Sequence, residues 1–240
     1  MRRPTMLVAV AAIVGMLLAA CGSSTPTKTG SGGGSITPAS SLTGAGSTFA
    51  APLYTLWGST YQASNHIKVS YNAVGSSAGL TDITQKTVDF GASDAAYTPT
   101  ETAAATILNI PTAISAVVLT YNVPGLPKGT TLNFSAGTVV NIFDGTDTKW
   151  NSADIAADNP GVTLPNTGIT VVRRSDGSGT TNIFTSWLSA VSPAWKAKYG
   201  AGTTVAWPTQ DLGGKGSSGV EADVTGTPGA IGYVELTYAV

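Results

Sequence analysis

Strand-like alternation gives way to helical spacing at Gly-Ser turns, and this junction recurs along the chain. Gly46-Ser47-Thr48 leads into Phe49, Leu53, Leu56, Trp57 and Tyr61 at steps of three and four, with Pro52 in the first turn, where proline is tolerated. Ile67, Val69 and Tyr71 alternate as a strand, then Gly75-Ser76-Ser77 opens a helix-like stretch carrying Leu80 and Ile83. Val88 to Asp94 reads as a short strand ending in polar residues, and Ile114 to Tyr121 as a longer apolar strand stopped by Pro124-Gly125. The second half repeats the pattern. Ile169 to Val172 runs into Arg173-Arg174-Ser175-Asp176-Gly177-Ser178-Gly179-Thr180, and a helix follows with Ile183, Phe184, Trp187, Leu188 and Val191. Gly214 to Gly219 precedes another helix, and Ala230 to Tyr238 reads as a closing strand. Strands alternating with helices predict an α/β fold of mainly parallel sheets. Pro124 to Pro127 marks a boundary between two small lobes.

Each of the turns at 46–48, 75–77 and 177–180 offers backbone N–H groups without helical partners, a hydroxyl and the positive end of a helix dipole. A helix N-terminus carries about half a positive charge, so three aimed at one point approach the charge of a dianion. The plainer alternative is that Ser and Thr only cap helices there. Arg173 and Arg174 point in alternate directions at a strand end, so at most one of them serves a given pocket. Asp176 stands two residues on, placed to hold that arginine; the plainer alternative for this pair is a surface salt bridge worth about 0–1 kcal/mol.

Charge and composition exclude several functions. Twelve basic residues against thirteen acidic ones, spread thinly over 240 positions, leave no basic surface for a nucleic-acid backbone. One Cys excludes a disulfide framework, and one His, His66, argues against a protein-built metal site. His66 reads as an exposed turn or strand-edge residue. Gly75-Ser76-Ser77-Ala78-Gly79 matches the G-x-S-x-G pattern of a nucleophile elbow at Ser77, but that arrangement needs its His downstream, and His66 precedes it. Gly214-Lys215 is followed by Gly216 and is not a phosphate-loop lysine.

The N-terminus is an address. Arg2 and Arg3 precede an apolar stretch of 15 residues from Met6 to Ala20, short of the roughly 20 that span a bilayer. Leu18-Ala19-Ala20-Cys21 resembles the bacterial lipobox, in which the Cys carries a lipid. The reading is a signal peptide over 1–20, lipidation at Cys21, and a flexible Gly/Ser/Thr tether over 21–41. Without Arg2 and Arg3, ten basic residues face thirteen acidic ones, a net charge near −3. Arg173 and Arg174 are then the only arginines.

Leu42 to Phe49, Gly75-Ser76-Ser77, Val88 to Asp94, Val171 to Thr180 and Gly229 to Glu235 together closely resemble PstS, the phosphate-binding proteins of bacterial phosphate ABC importers. The resemblance runs from about Leu42 to Ala239. It implies a two-lobed periplasmic-binding-protein fold of type II, each lobe a mainly parallel sheet flanked by helices: lobe I over 42–121 with a first hinge strand, lobe II over 122–230, and a second hinge strand over 231–240. Family members continue past this strand and return to complete the first lobe, so the resemblance implies an incomplete first lobe with apolar surface uncovered. It further implies that Thr48, Phe49 (through its N–H), Ser76, Asp94, Arg174, Ser178, Gly179 and Thr180 bind inorganic phosphate, with Asp176 steadying Arg174. The expected protein is a monomeric, exported, lipid-anchored receptor that passes phosphate to ABC permease subunits, needs no cofactor and does no chemistry. The alternatives are an exported serine hydrolase using Ser77, or a truncated fragment that binds nothing.

Overall fold

The computed structural model describes residues 39–96, 107–127, 129–208 and 211–239. The expected signal peptide, Cys21 and the tether up to residue 38 lie outside the described residues.

The first half forms a three-stranded parallel sheet in the order β2 (Lys68–Ala73), β1 (Ser41–Gly46), β3 (Phe90–Ala92). Pairing sets Gly44 between Tyr71 and Phe90, so Leu42, Val69, Tyr71 and Phe90 share one face. Helix α1 (Ala51–Asn65) lies on that face, where Tyr54 stacks on Tyr71 with centroids 5.0 Å apart. Pro52 falls in its first turn, as the sequence predicts. The helix ends at His66, which is exposed and takes the left-handed φ of 59° while its N–H closes the last turn on Gln62. His66 is a turn residue. Helix α2 (Ser76–Thr84) packs on the opposite face, with Gly79 against the end of β1. Leu56, Trp57 and Tyr61 on α1 remain exposed, and a cavity of about 550 Å³ opens between the helix and the sheet beside Leu42, Tyr54 and Phe90.

The second half carries most of the buried apolar mass. Its sheet has the order β4 (Val117–Tyr121), β7 (Ala230–Glu235), β5 (Thr170–Arg174), β6 (Leu212–Gly214), parallel except for β4 against β7. On one face, α3 (Ala136–Phe143), α4 (Ala153–Asp158), α5 (Gly179–Val191) and α6 (Pro193–Lys198) enclose Phe143, Trp150, Ile155, Leu188, Trp195 and Tyr233. On the other, Val220 and Val224 of α7 (Gly216–Gly226) cover Val172, Ala230 and Val234. Trp150 is fully buried, and its indole N–H is satisfied by the carbonyl of Gly229 at 2.9 Å.

Three differences from the sequence reading have clear causes. The strand expected from Ile114 begins at Val117, because β4 pairs only with β7 and that ladder ends at Val117 opposite Glu235; Ile114 is almost fully exposed. For the same reason β4, expected at the end of the first lobe, belongs to the second sheet. The closing strand stops at Glu235, whose carboxylate accepts the N–H of Thr237 and starts a single 3-10 turn over Leu236–Tyr238. Helices α3, α4 and α6 and strand β6 are additions. Ser135, Ser152 and Ser192 cap the three helices, each accepting an N–H from the first turn.

Candidate functional site

The C-terminal ends of β1, β3, β5 and β6 converge, and ligands of open α/β sheets lie outside such ends. From the first half come Ser47 and Thr48 after β1, Ser76 at the start of α2, and Asp94 two residues beyond β3. From the second come Arg174 at the end of β5, then Asp176, Ser178, Gly179 and Thr180, where α5 begins. Gly75 makes the turn before α2 with φ 97°, and any Cβ there would collide with the carboxylate of Asp176.

Asp94 is the centre of the cluster. Its Oδ1 accepts the hydroxyl of Ser47; its Oδ2 accepts longer bonds from Thr180 at 3.3 Å and Ser76 at 3.5 Å. Its own N–H donates to Ser76 Oγ at 3.3 Å. Burial pushes the Asp94 carboxyl above its ordinary pKa; the hydroxyls of Ser47, Thr180 and Ser76 and the charge of Arg174 pull the other way without cancelling it. Thr180 reaches Asp94 from the other half of the molecule, so the carboxylate ties the two sheets' ends together.

Arg174 is 4% exposed. Its Nε and Nη2 clamp Asp176 at 2.7 and 2.5 Å, and Nη1 takes no part in that clamp. Burial raises the Asp176 pKa, but the Arg174 hydrogen bonds and charge, with the Gly216 N–H at 3.1 Å, outweigh it and hold the carboxyl below its usual range. Arg173 points elsewhere, its Nη1 on the carbonyl of Arg174, so one arginine of the pair serves the cluster, as strand alternation requires. Tyr233 backs the strand: its hydroxyl accepts the Arg174 N–H at 3.3 Å and bonds Thr181 Oγ1 at 2.7 Å.

The remaining expected residues are less uniform. Ser178 is wholly buried and its hydroxyl accepts the N–H of Thr181, so it caps α5. The Phe49 N–H is given to Ser47 Oγ at 3.1 Å. Thr48 Oγ1 accepts the Ser217 N–H at 3.1 Å, which joins the N-terminus of α7 to the first half, and a cavity of about 180 Å³ opens beside Thr48, Asp176, Lys215 and Tyr238. Gly179 touches Ser76 and Asp94 so closely that a Cβ would lie 2.6 Å from Ser76 Oγ and 2.8 Å from the Asp94 nitrogen. Of the expected set, Ser76, Asp94, Gly179 and Thr180 meet across the two halves, whereas the Phe49 N–H is taken by Ser47, Thr48 Oγ1 by Ser217 and the Ser178 hydroxyl by Thr181. Ser47 and Ser217 were not in it, although both stand in Gly-Ser turns of the same kind and Ser47 immediately precedes Thr48. Ser77 sends its N–H to the Gly177 carbonyl at 3.1 Å, and among the described residues no hydrogen bond joins it to His66.

Residues 25–240 match the family described as the PBP superfamily domain. The chain belongs to the PBP superfamily. Within it, the chain is similar to the Phosphate-binding protein PstS of Xylella fastidiosa, 44% identical over 172 residues that make up 72% of this chain and 47% of that protein. It is also similar to the Phosphate-binding protein PstS 2 of Mycobacterium tuberculosis, 36% identical over 180 residues, again 72% and 47%. The chain thus spans about half the length of the curated relatives it matches. Two solved structures share its fold. A high-affinity periplasmic phosphate-binding protein, PfluDING, has a TM-score of 0.68 at 23% identity, covering 83% of this chain and 57% of that one. An ABC-type phosphate transport receptor from Vibrio cholerae has a TM-score of 0.55 at 20% identity, covering 83% and 72%. The PstS resemblance read from the sequence and the type II α/β binding-protein fold are both borne out.

Proposed function

We propose that this chain of the PBP superfamily binds inorganic phosphate outside the cytoplasm, between lobes that close over it, and delivers it to the permease of an ABC importer. Cys21 anchors it to the membrane through a lipid, residues 22–41 act as the tether, and the protein acts as a monomer without a cofactor and without chemistry on its ligand. What supports the reading best is Asp94: a buried carboxylate ringed by hydroxyl donors from both halves, with Arg174 close by. Arg174 and the helix N-termini at Ser76 and Gly179 supply positive potential and donors for an anion. A carboxylate beside an anion is repulsive unless the anion brings a proton. Phosphate near neutral pH still carries one or two protons, and sulfate carries none, so Asp94 accepts from phosphate and rejects sulfate. The names of the PstS relatives agree with this ligand.

The test is Asp94→Asn. An amide offers a donor toward the anion as well as an acceptor and lacks the negative charge, so the variant is expected to gain sulfate binding and narrow the phosphate preference by at least ~100-fold. Competition between radiolabelled phosphate and unlabelled sulfate measures this directly. An unmodified protein that binds the two anions equally overturns the reading.

A further inference from the structure

Ser47 is 1% exposed and is held on every side. Its N–H bonds the carbonyl of Ala92 at 2.8 Å, its carbonyl accepts the Tyr71 hydroxyl at 2.7 Å, and its Oγ both donates to Asp94 Oδ1 and accepts the Phe49 N–H. We infer that Ser47 is a positioning residue for anion recognition, one that holds Oδ1 of Asp94 and so turns Oδ2 toward the ligand's proton.

A carboxylate with two open oxygens rotates about its Cβ–Cγ bond and accepts from either. Here the two oxygens are unequal. Oδ1 receives the fixed Ser47 hydroxyl, anchored through Ser47's backbone to β3 and through Oγ to Phe49 in the turn before α1. Oδ2 receives two longer bonds, from Thr180 at 3.3 Å and Ser76 at 3.5 Å, on the side where the two halves meet. Long bonds from rotatable hydroxyls are readily exchanged for a shorter one to an incoming O–H. The same Ser47 oxygen receives the Phe49 N–H, which fixes the orientation of the Ser47 hydroxyl. Arg174 is the charged group that acts on Asp94 from the second half, and Tyr71 faces it from β2 with its hydroxyl bonded to Ser47. Arg174 favours the ionised Asp94, as the Ser47 hydrogen bond does. Removing that bond leaves burial less opposed, so Asp94 takes up its proton at higher pH.

This inference rests on the phosphate reading, and the experiment separates the two. Phosphate affinity of the full chain is measured between pH 4 and 8 for the unmodified protein, Ser47→Ala, Ser47→Thr and Asp94→Asn, with thermal unfolding recorded in parallel. Where Asp94 is protonated it no longer accepts from phosphate, so affinity falls on the acid side. In Ser47→Ala that fall is expected to move to higher pH, so that affinity on the acid limb lies below that of the unmodified protein at the same pH. Ser47→Thr, which keeps the hydroxyl, restores the unmodified profile, and Asp94→Asn removes the acid-side fall. A purely structural role lowers the unfolding temperature of Ser47→Ala without moving its pH profile, and that result overturns the inference. Failure of the unmodified chain to bind phosphate at any pH overturns the phosphate reading instead.

Discussion

Arg174→Ala is expected to destabilise the second lobe by about 3–5 kcal/mol and to weaken phosphate binding by at least ~100-fold. Both effects follow from one buried ion pair. The guanidinium gives Asp176 a two-point clamp at the end of β5, while the backbone N–H of Gly216 brings α7 to the same carboxylate. Without the arginine, a largely buried carboxylate keeps its desolvation penalty and loses its partner. The pH dependence fixes the sign. In the unmodified chain the Asp176 pKa is depressed, so its stabilising contribution is present above the unfolded value near 4 and is lost as pH falls through the folded value. In the variant burial is unopposed by Arg174 and the pKa rises, so the deficit is largest at neutral pH and shrinks toward pH 3. Urea unfolding of both proteins at pH 7 and pH 3 measures it. An equal deficit at the two pH values is contrary to this account.

Gly179→Ala is the second large effect, and it acts on closure rather than on any donor. A methyl at this position meets Ser76 Oγ and the backbone nitrogen of Asp94, both from the first half, within 3 Å. The hydroxyl can turn away; the Asp94 backbone cannot. The two halves must part by a few tenths of an ångström or more, which weakens every contact that depends on their meeting, including that of Thr180 with Asp94. Overpacking of this kind costs about 1–3 kcal/mol, a loss of about 5- to 150-fold if it falls on the ligand-bound arrangement. Gly179 opens α5 at the seam and outside the apolar core of the second half, so the unfolding temperature is expected to change far less than the affinity. A Gly179→Ala protein that binds phosphate as tightly as the unmodified one shows that the halves do not meet here around the ligand.

The sequence made the site more legible than the scaffold that holds it. The turns at Gly46, Gly75 and Gly177 announce themselves because glycine, a small hydroxyl residue and the onset of helical spacing coincide within a few positions. Asp176 was recoverable because it lies two residues from the arginine it clamps. Ser47 was overlooked since its role is set by where β3 delivers Asp94, a contact across 47 positions that no local pattern encodes. Ser217 was missed for the same reason, its partner Thr48 being 169 positions away. The start of β4 is not legible locally: apolar residues from Ile114 onward resemble a strand, while the pairing is decided by where β7 ends. Helices α4 and α6, six residues each, are too short to establish a periodicity of their own and are held by tertiary packing of Ile155 and Trp195.

Titration calorimetry of the unmodified chain with phosphate, and then with sulfate, tests the central claim most directly. The account predicts a phosphate Kd of about 1 μM or below, near −8 kcal/mol, with no sulfate heat at the same concentrations. A folded protein that takes up neither anion, or that takes up both alike, contradicts it.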